Sequence, residues 1–269
     1  GGSPIGLAYS LVFTDAMIAP AFPSNTARGG VLFPIVLSIA KGAGSEPDSP
    51  EGRRLGGYLM FCSMASLAVS SALWLTATSC NPIGVQIAEK AGFEINFGSW
   101  FIHSSVPTLS AILVLPWLVS KLFSPGVGKT PEAPIAARRD LSEMGGMSRN
   151  EWITAATFVG MVIGWVFGSS LNLNGTAVAF LGLGTLLATG VLTLDDISKQ
   201  GDTLVTFLWL AILFGLSAQL NELGFMSYVG ERLSSHLSGM SWPLLYITLI
   251  TVYVGRHYFF VSQTSQVWA

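Results

Sequence analysis

Two long apolar arms, each opening at a proline and closing on a short polar triplet, constrain this chain more than any other feature. The first starts at Pro4 and reaches Ser24-Asn25-Thr26, with Pro23 before the triplet and Ala27-Arg28-Gly29-Gly30 after it. The second starts at Pro243 and reaches Ser262-Gln263-Thr264. The spacings from proline to serine are 20 and 19 residues. Polar tips on hydrophobic arms, one in each half, predict a membrane transporter with an internal repeat and a site at the bilayer midplane.

Composition supports that class. Hydrophobic residues make up 51% of the chain and charged residues 10%, against roughly 25% charged in an average soluble domain. Several stretches reach the roughly 20 apolar residues that cross a bilayer. A soluble chain of 269 residues has no interior large enough to hide them. The net charge of −2 and the lack of a long basic run give no sign of a nucleic-acid partner. Cys62 and Cys80 are isolated thiols, neither a disulfide framework nor a metal site. No metal ligand, cofactor or catalytic residue is assigned, and the chain is read as a non-enzyme. It begins Gly1-Gly2-Ser3, without an initiator Met or a signal peptide, and is expected to be a fragment.

The expected fold is all-α, a polytopic membrane protein with an inverted repeat, re-entrant helical hairpins and broken transmembrane helices. Apolar segments fall at about 55–78, 97–120, 152–170, 175–194 and 203–220. Residues 1–40 form the first hairpin, because the apolar run 29–40 is too short to span. Residues 41–123 hold a broken helix and the following span, and 124–151 a cytoplasmic loop. Residues 152–220 hold the spans of the second half, 221–240 an interfacial helix, and 241–269 the first arm and tip of a second, truncated hairpin. Loops 41–54, 121–151 and 195–202 carry nine basic residues, among them Arg53, Arg54, Arg138 and Arg139. The alternate connections carry only Lys90 and Arg232, which puts the first set in the cytoplasm.

Irregular backbone at membrane depth must be buried in protein or line a cavity. Ser, Asn and Thr are N-cap residues, so a helix starting at Ala27 would aim free N–H groups and its positive dipole end at the membrane centre. Such an end suits a carboxylate, and two facing tips could hold both ends of a small dicarboxylate. The plain alternative for either triplet is a capped loop. A third interruption, Thr76-Ala77-Thr78-Ser79-Cys80-Asn81-Pro82, is either a broken helix lining the same cavity, with Thr78 and Asn81 as candidate substrate contacts, or an ordinary helix end. Pro82 cannot continue a helix, and Asn81 could satisfy freed backbone groups.

Ionisable residues in apolar stretches usually face a cavity or a partner. Arg28 follows the first tip, and Arg256 and His257 precede the second; all three are candidates for charge compensation of an anion. Alternatively, Asp15 in the first arm pairs with an arginine structurally. His103 lies near the start of the 97–120 span, where an interfacial position explains it equally well.

These motifs resemble the divalent anion/sodium symporter family, in which paired S-N-T signatures occupy the tips of two opposed hairpins. The run 23–30, followed by Phe33-Pro34-Ile35, is especially similar to the exchanger branch, which includes citrate/succinate antiporters and plastid 2-oxoglutarate/malate translocators. The run from His257 to Thr264, with Gln263 replacing Asn, is similar to that branch's second motif. The resemblance implies a homodimer, substrate contacts at Ser24, Asn25, Thr26, Ser262, Gln263 and Thr264, and a chain covering only the middle of a member. The implied location is a cell inner membrane or, alternatively, a plastid inner envelope.

Sodium-coupled members carry a serine one turn before each triplet, where this chain has Pro20 and Tyr258. The glycine of the family's first broken-helix loop corresponds to Ala77. Losing such ligands weakens a sodium site, and fixed positive charge at Arg28, Arg256 and His257 could replace it. The sequence therefore reads as a sodium-independent exchanger of C4/C5 dicarboxylates such as malate, succinate or 2-oxoglutarate. A sodium-coupled symporter is the alternative, and a non-transporting membrane sensor or structural fragment is the alternative of another class.

Overall fold

The computed structural model describes residues 2–45, 53–126, 128–168, 171, 173–199, 201–259 and 263–268. Every regular element among them is helical. The chain divides into two compact units, Gly1–Val191 and Leu192–Ala269.

The first unit is organised around α3 (Arg53–Leu73). Against it pack α1 (Pro4–Ile18), α2 (Asn25–Gly42) and α5 (Phe97–Leu122). Val12, Val36, Leu55, Tyr58, Leu59 and Ile112 are fully buried where these helices meet. The face that α3 turns to α1 and α2 carries Ser66, Ser70 and Ser71 as well as apolar groups, and all three are buried. Serines at helix contacts let backbones approach closely and bond across the seam. Tyr58 on α3 donates through its hydroxyl to the Pro116 carbonyl of α5 at 2.9 Å.

Helix α1 opens at Ser3, whose hydroxyl accepts from Gly6 N–H, with Pro4 at the first position, where its missing N–H has no partner to lose. A 3-10 turn, Ala19–Ala21, continues it. Together they make an apolar stretch, Pro4–Ala21, of 18 residues, about 27 Å of axis if wholly α-helical. Arg54–Leu73 and Phe97–Leu122 are also long and apolar enough to cross a membrane.

Helix α2 departs from the expected start at Ala27. Ser24 is its N-cap, accepting from Ala27 N–H at 3.3 Å, so the helix begins at Asn25. It runs 18 residues to Gly42 and carries Pro34 inside it without ending there. The twelve-residue arm expected from the apolar run undercounted it, because the polar first turn and Lys41 also belong to the helix.

After α3, residues 74–79 form turns, and α4 (Cys80–Lys90) then begins. One helix thus stops at Leu73 and another starts at Cys80. Pro82 occupies the third position of α4, where a missing N–H forfeits no intrahelical bond, so it starts a helix instead of stopping one.

The expected cytoplasmic loop contains α6 (Glu132–Met144), which packs on α2. The sequence reading missed it because it is charged and short of apolar run. Helix α7 (Arg149–Val166) pairs with α8 (Gly175–Ala188). Gly164 and Gly182 make that approach possible: a Cβ on Gly182 would stand 2.1 Å from Met161 Sδ. At 14 residues α8 is shorter than the expected 175–194 segment; the chain turns at Gly190, whose φ is 72°. Glycine takes that left-handed backbone without penalty.

The second unit holds α9 (Leu194–Ser198), α10 (Gly201–Glu222), α11 (Phe225–Leu237), α12 (Trp242–Arg256), a 3-10 turn (His257–Phe259) and α13 (Gln263–Trp268). Helix α13 packs on α10. Helix α11 falls within the segment 221–240 read as interfacial.

Candidate functional site

The two tips share one frame. Helices α1 and α12 each have 15 residues, and each continues into a 3-10 turn of three residues. At the first tip residues 22–24 follow, and the return helix begins at Asn25, the middle residue of the triplet; at the second, α13 is described from Gln263. The one-residue difference between the proline spacings arises because Pro4 is the first residue of α1, whereas Pro243 is the second of α12.

At the first tip, Ser24 and Thr26 are exposed and Asn25 is half-buried. Ala27 N–H goes to Ser24 Oγ and Arg28 N–H to Ser24 O. The N–H groups of Asn25 and Thr26 have no partner among the described residues. That leaves two donors at the positive end of an 18-residue helix.

Arg28 lies one turn into α2 and is wholly buried. Its Nε stands 2.9 Å from Asp15 Oδ1, and both side chains are essentially inaccessible. The two atoms are close without hydrogen-bond alignment, so Arg28 Nε and Asp15 Oδ1 form an ion pair but no hydrogen bond. Asp15 Oδ2 accepts from Ser66 Oγ at 2.5 Å and Ser70 Oγ at 2.7 Å. Arg28 Nη2 faces Leu67 O at 2.7 Å, Ser70 Oγ at 3.0 Å, Ser71 Oγ at 3.1 Å and Asn25 Oδ1 at 3.3 Å. Arg28 Nη1 is buried without a hydrogen-bond partner. The positive charge of Arg28 is thus met inside the bundle by Asp15. Of the readings open from sequence, this geometry favours the structural pair over a free cation for substrate.

The break touches the same tip. Ser79 N–H donates to Pro23 O at 3.1 Å and Thr76 Oγ1 to Pro20 O at 3.0 Å. Trp74 Nε1 donates to Ala16 O at 2.8 Å. Asn81 Nδ2 donates to Ser71 O and Trp74 O, at 2.8 and 3.0 Å, and so satisfies carbonyls freed where α3 stops. Thr78 is half-buried, and its carbonyl accepts from Asn81 N–H. The structure therefore brings Asn25, Arg28, Asn81 and the 76–79 turn into one connected network through α3.

At the second tip, Ser262 lies outside the described residues, and so does the expected approach of Ser24 and Ser262. Gln263 is exposed and begins α13; Thr264 lies in its first turn. Arg256 Nη2 donates to Gln266 O at 3.0 Å, and its guanidinium sits 5.6 Å from the Tyr253 ring centroid. His257 Nδ1 is 2.6 Å from Gln266 Oε1, while Gln266 Nε2 donates to Tyr253 O at 2.9 Å. Since the amide nitrogen is engaged by a carbonyl, the atom facing His257 is an acceptor, and His257 Nδ1 carries the proton. Tyr258, one turn before the second triplet, is 86% exposed. His103 is exposed, with Nδ1 2.6 Å from Ser99 O in its own helix.

Sequence reasoning missed Gln266, Ser66, Ser70 and Ser71. Gln266 had a signal, being a polar residue one turn past Ser262. The three serines of α3 recur at helical spacing on one face of an apolar segment, which was also legible. Neither set shares a motif with the triplets.

Comparison with known proteins identifies the family. The profile of the family described as "Sodium:sulfate symporter transmembrane region" matches residues 1–269. A chloroplast dicarboxylate transporter 2.1 of Arabidopsis thaliana is 38% identical over 274 residues, covering 100% of this chain and 49% of that protein. A putative malate transporter of Bacillus subtilis is 38% identical over 92% of the chain and 52% of its own length. A citrate/succinate antiporter of Escherichia coli strain K12 is 33% identical over 98% and 55%. The chain spans about half the length of the curated relatives it matches. With its profile matched from end to end and both signature triplets in place, the chain belongs to the sodium:sulfate symporter transmembrane family.

Proposed function

We propose that the protein carrying this chain is a secondary active transporter that exchanges C4/C5 dicarboxylates by alternating access, and not an enzyme. One observation carries the reading: two 15-residue arms, each continuing into a 3-10 turn, and each leading in the sequence to a polar triplet. Relatives named as dicarboxylate and malate transporters and as a citrate/succinate antiporter support the substrate class. In this reading the two arms are re-entrant hairpins of an inverted repeat. Each tip offers one substrate carboxylate its hydroxyl, its amide and the N–H groups of a helix start. Ser24, Asn25 and Thr26 serve one end, Ser262, Gln263 and Thr264 the other, with Thr78 and Asn81 at the break. The carrier is a homodimer in a cell inner membrane or a plastid inner envelope.

In this reading Arg256 and His257 compensate substrate charge at the second tip, while at the first Arg28 is paired with Asp15. A positively charged empty site resists crossing the apolar barrier, and a bound dianion offsets that charge. The loaded carrier then reorients far faster than the empty one, and that asymmetry makes an obligate exchanger.

Reconstitution tests this directly. Labelled succinate or malate should enter proteoliposomes only when unlabelled dicarboxylate is inside, and replacing sodium with potassium or choline should change nothing. Net uptake into empty vesicles driven by sodium would overturn exchange in favour of symport, the alternative coupling. No uptake under any condition would point to a sensor or structural role. Asn25→Ala or Thr264→Ala should abolish uptake without loss of membrane insertion.

A further inference from the structure

Resting on the transport reading, we infer that Asp15, Arg28 and Ser71 are positioning residues that turn the Asn25 amide so that it offers a donor, and not an acceptor, to the ligand. Two groups converge on Asn25 Oδ1: Ser71 Oγ at 2.5 Å and Arg28 Nη2 at 3.3 Å. A guanidinium has no acceptor atom. Turning the amide over would set its NH2 against the NH2 of a buried cation, two donors face to face. The pairing therefore fixes the oxygen on the bundle side. Asn25 Nδ2 then has no partner among the described residues, and Asn25 itself is only half-buried.

The arginine is held in turn. Asp15 Oδ1 fixes the Nε edge at 2.9 Å, and Ser66 and Ser70 hold the other carboxylate oxygen. Nη2 has two protons for four acceptors, of which the Leu67 carbonyl at 2.7 Å and Ser70 are also on α3. Ser71 carries a single proton, within reach of both Asn25 Oδ1 and Leu67 O. If that proton goes to Leu67, Arg28 alone still forbids the flipped amide. The consequence is a selectivity rule. With the neighbouring N–H groups of Asn25 and Thr26, the first tip presents donors at this corner, so it favours an ionised carboxylate over a neutral amide and gives an ammonium end no acceptor.

The test uses the protein at its natural length, reconstituted in vesicles, with Asn25→Asp, Ser71→Ala and Ser71→Thr beside wild type. N25D keeps an oxygen for Ser71 and Arg28 to meet, so it should insert and keep its thermal midpoint. It replaces the outward donor with a carboxylate, so succinate exchange should fall by at least about a hundredfold. S71A removes one of the two groups holding the oxygen. It should raise the KM for succinate by about fivefold with Vmax unchanged, and S71T should restore it. N25D with the wild-type KM would overturn the inference, as would an S71A that loses thermal stability without moving KM. If wild type itself moves no dicarboxylate, the transport reading falls. If wild type transports and N25D matches it, only the orientation falls.

Discussion

The two tips share a secondary-structure frame and differ in how they are anchored. The first is tied by side chains to a different helix: Arg28 and Asn25 bind the serines of α3, and the 76–79 turn binds the carbonyls of Pro20 and Pro23. The second is tied across its own turn, where Gln266 of α13 reaches back to His257 and to the Tyr253 carbonyl of α12. An acid balances the buried arginine of the first tip. At the second, Arg256 and His257 converge on a neutral amide residue. The described contacts thus differ in kind: an ion pair and the serines of α3 at the first tip, and the amide of Gln266 at the second.

The largest expected effect breaks the first anchor. Asp15→Asn leaves Arg28 buried and uncompensated, and Arg28→Gln leaves Asp15 in the same position. Each should destabilise the purified protein by about 3–5 kcal/mol. The double substitution D15N/R28Q should lose markedly less than the sum, as read by thermal unfolding in detergent. Strict additivity would mean that the pair is not coupled.

A smaller effect is expected at the second anchor. Gln266→Leu removes the acceptor facing His257 and the donor to Tyr253 O, and should cost about 1–3 kcal/mol. A loss as large as that of D15N would erase the contrast between a charged and a neutral tie.

The smallest effect lies outside both tips and gives a baseline. The Ser148 backbone N–H donates to the Glu151 carboxylate at the start of α7, and this lowers the glutamate's pKa from its ordinary 4.5. A lowered carboxyl pKa contributes stability above that ordinary value and loses it as pH falls through the folded-state value. Because Glu151 is fully exposed, the slope of stability against pH below about 4.5 should be slight. Glu151→Gln, followed by the same melts, should flatten it.

Much of the frame was legible because local rules decide it. The prolines and serines that open the arms, the triplets and the break at 76–82 all act through backbone hydrogen bonds within a few residues. Boundaries that depend on packing were less legible. Helix α2 starts at Asn25 because Ser24, not the apolar run, caps it, and α4 begins before Pro82 because a first turn tolerates proline. Helix α6 shows no apolar run of its own and forms against α2. The pairing of Arg28 with Asp15 was open from sequence, since 12 intervening positions say nothing of the distance between two arms. Ser66, Ser70 and Ser71 read as ordinary small residues until an arginine is set against them.

The bonds between the first tip and the break have a mechanical side. Ser79 to Pro23, Thr76 to Pro20 and Trp74 to Ala16 stitch the descending arm to the end of α3. In the re-entrant reading proposed above, parting that seam would leave several backbone and side-chain groups with no water to take them up, at about 1–3 kcal/mol for each. The seam is thus a weld rather than a joint. Any excursion of the first tip carries α1, the opening of α2, α3 and the 74–79 turn as a single stiff piece, and flexing must take place beyond its edges.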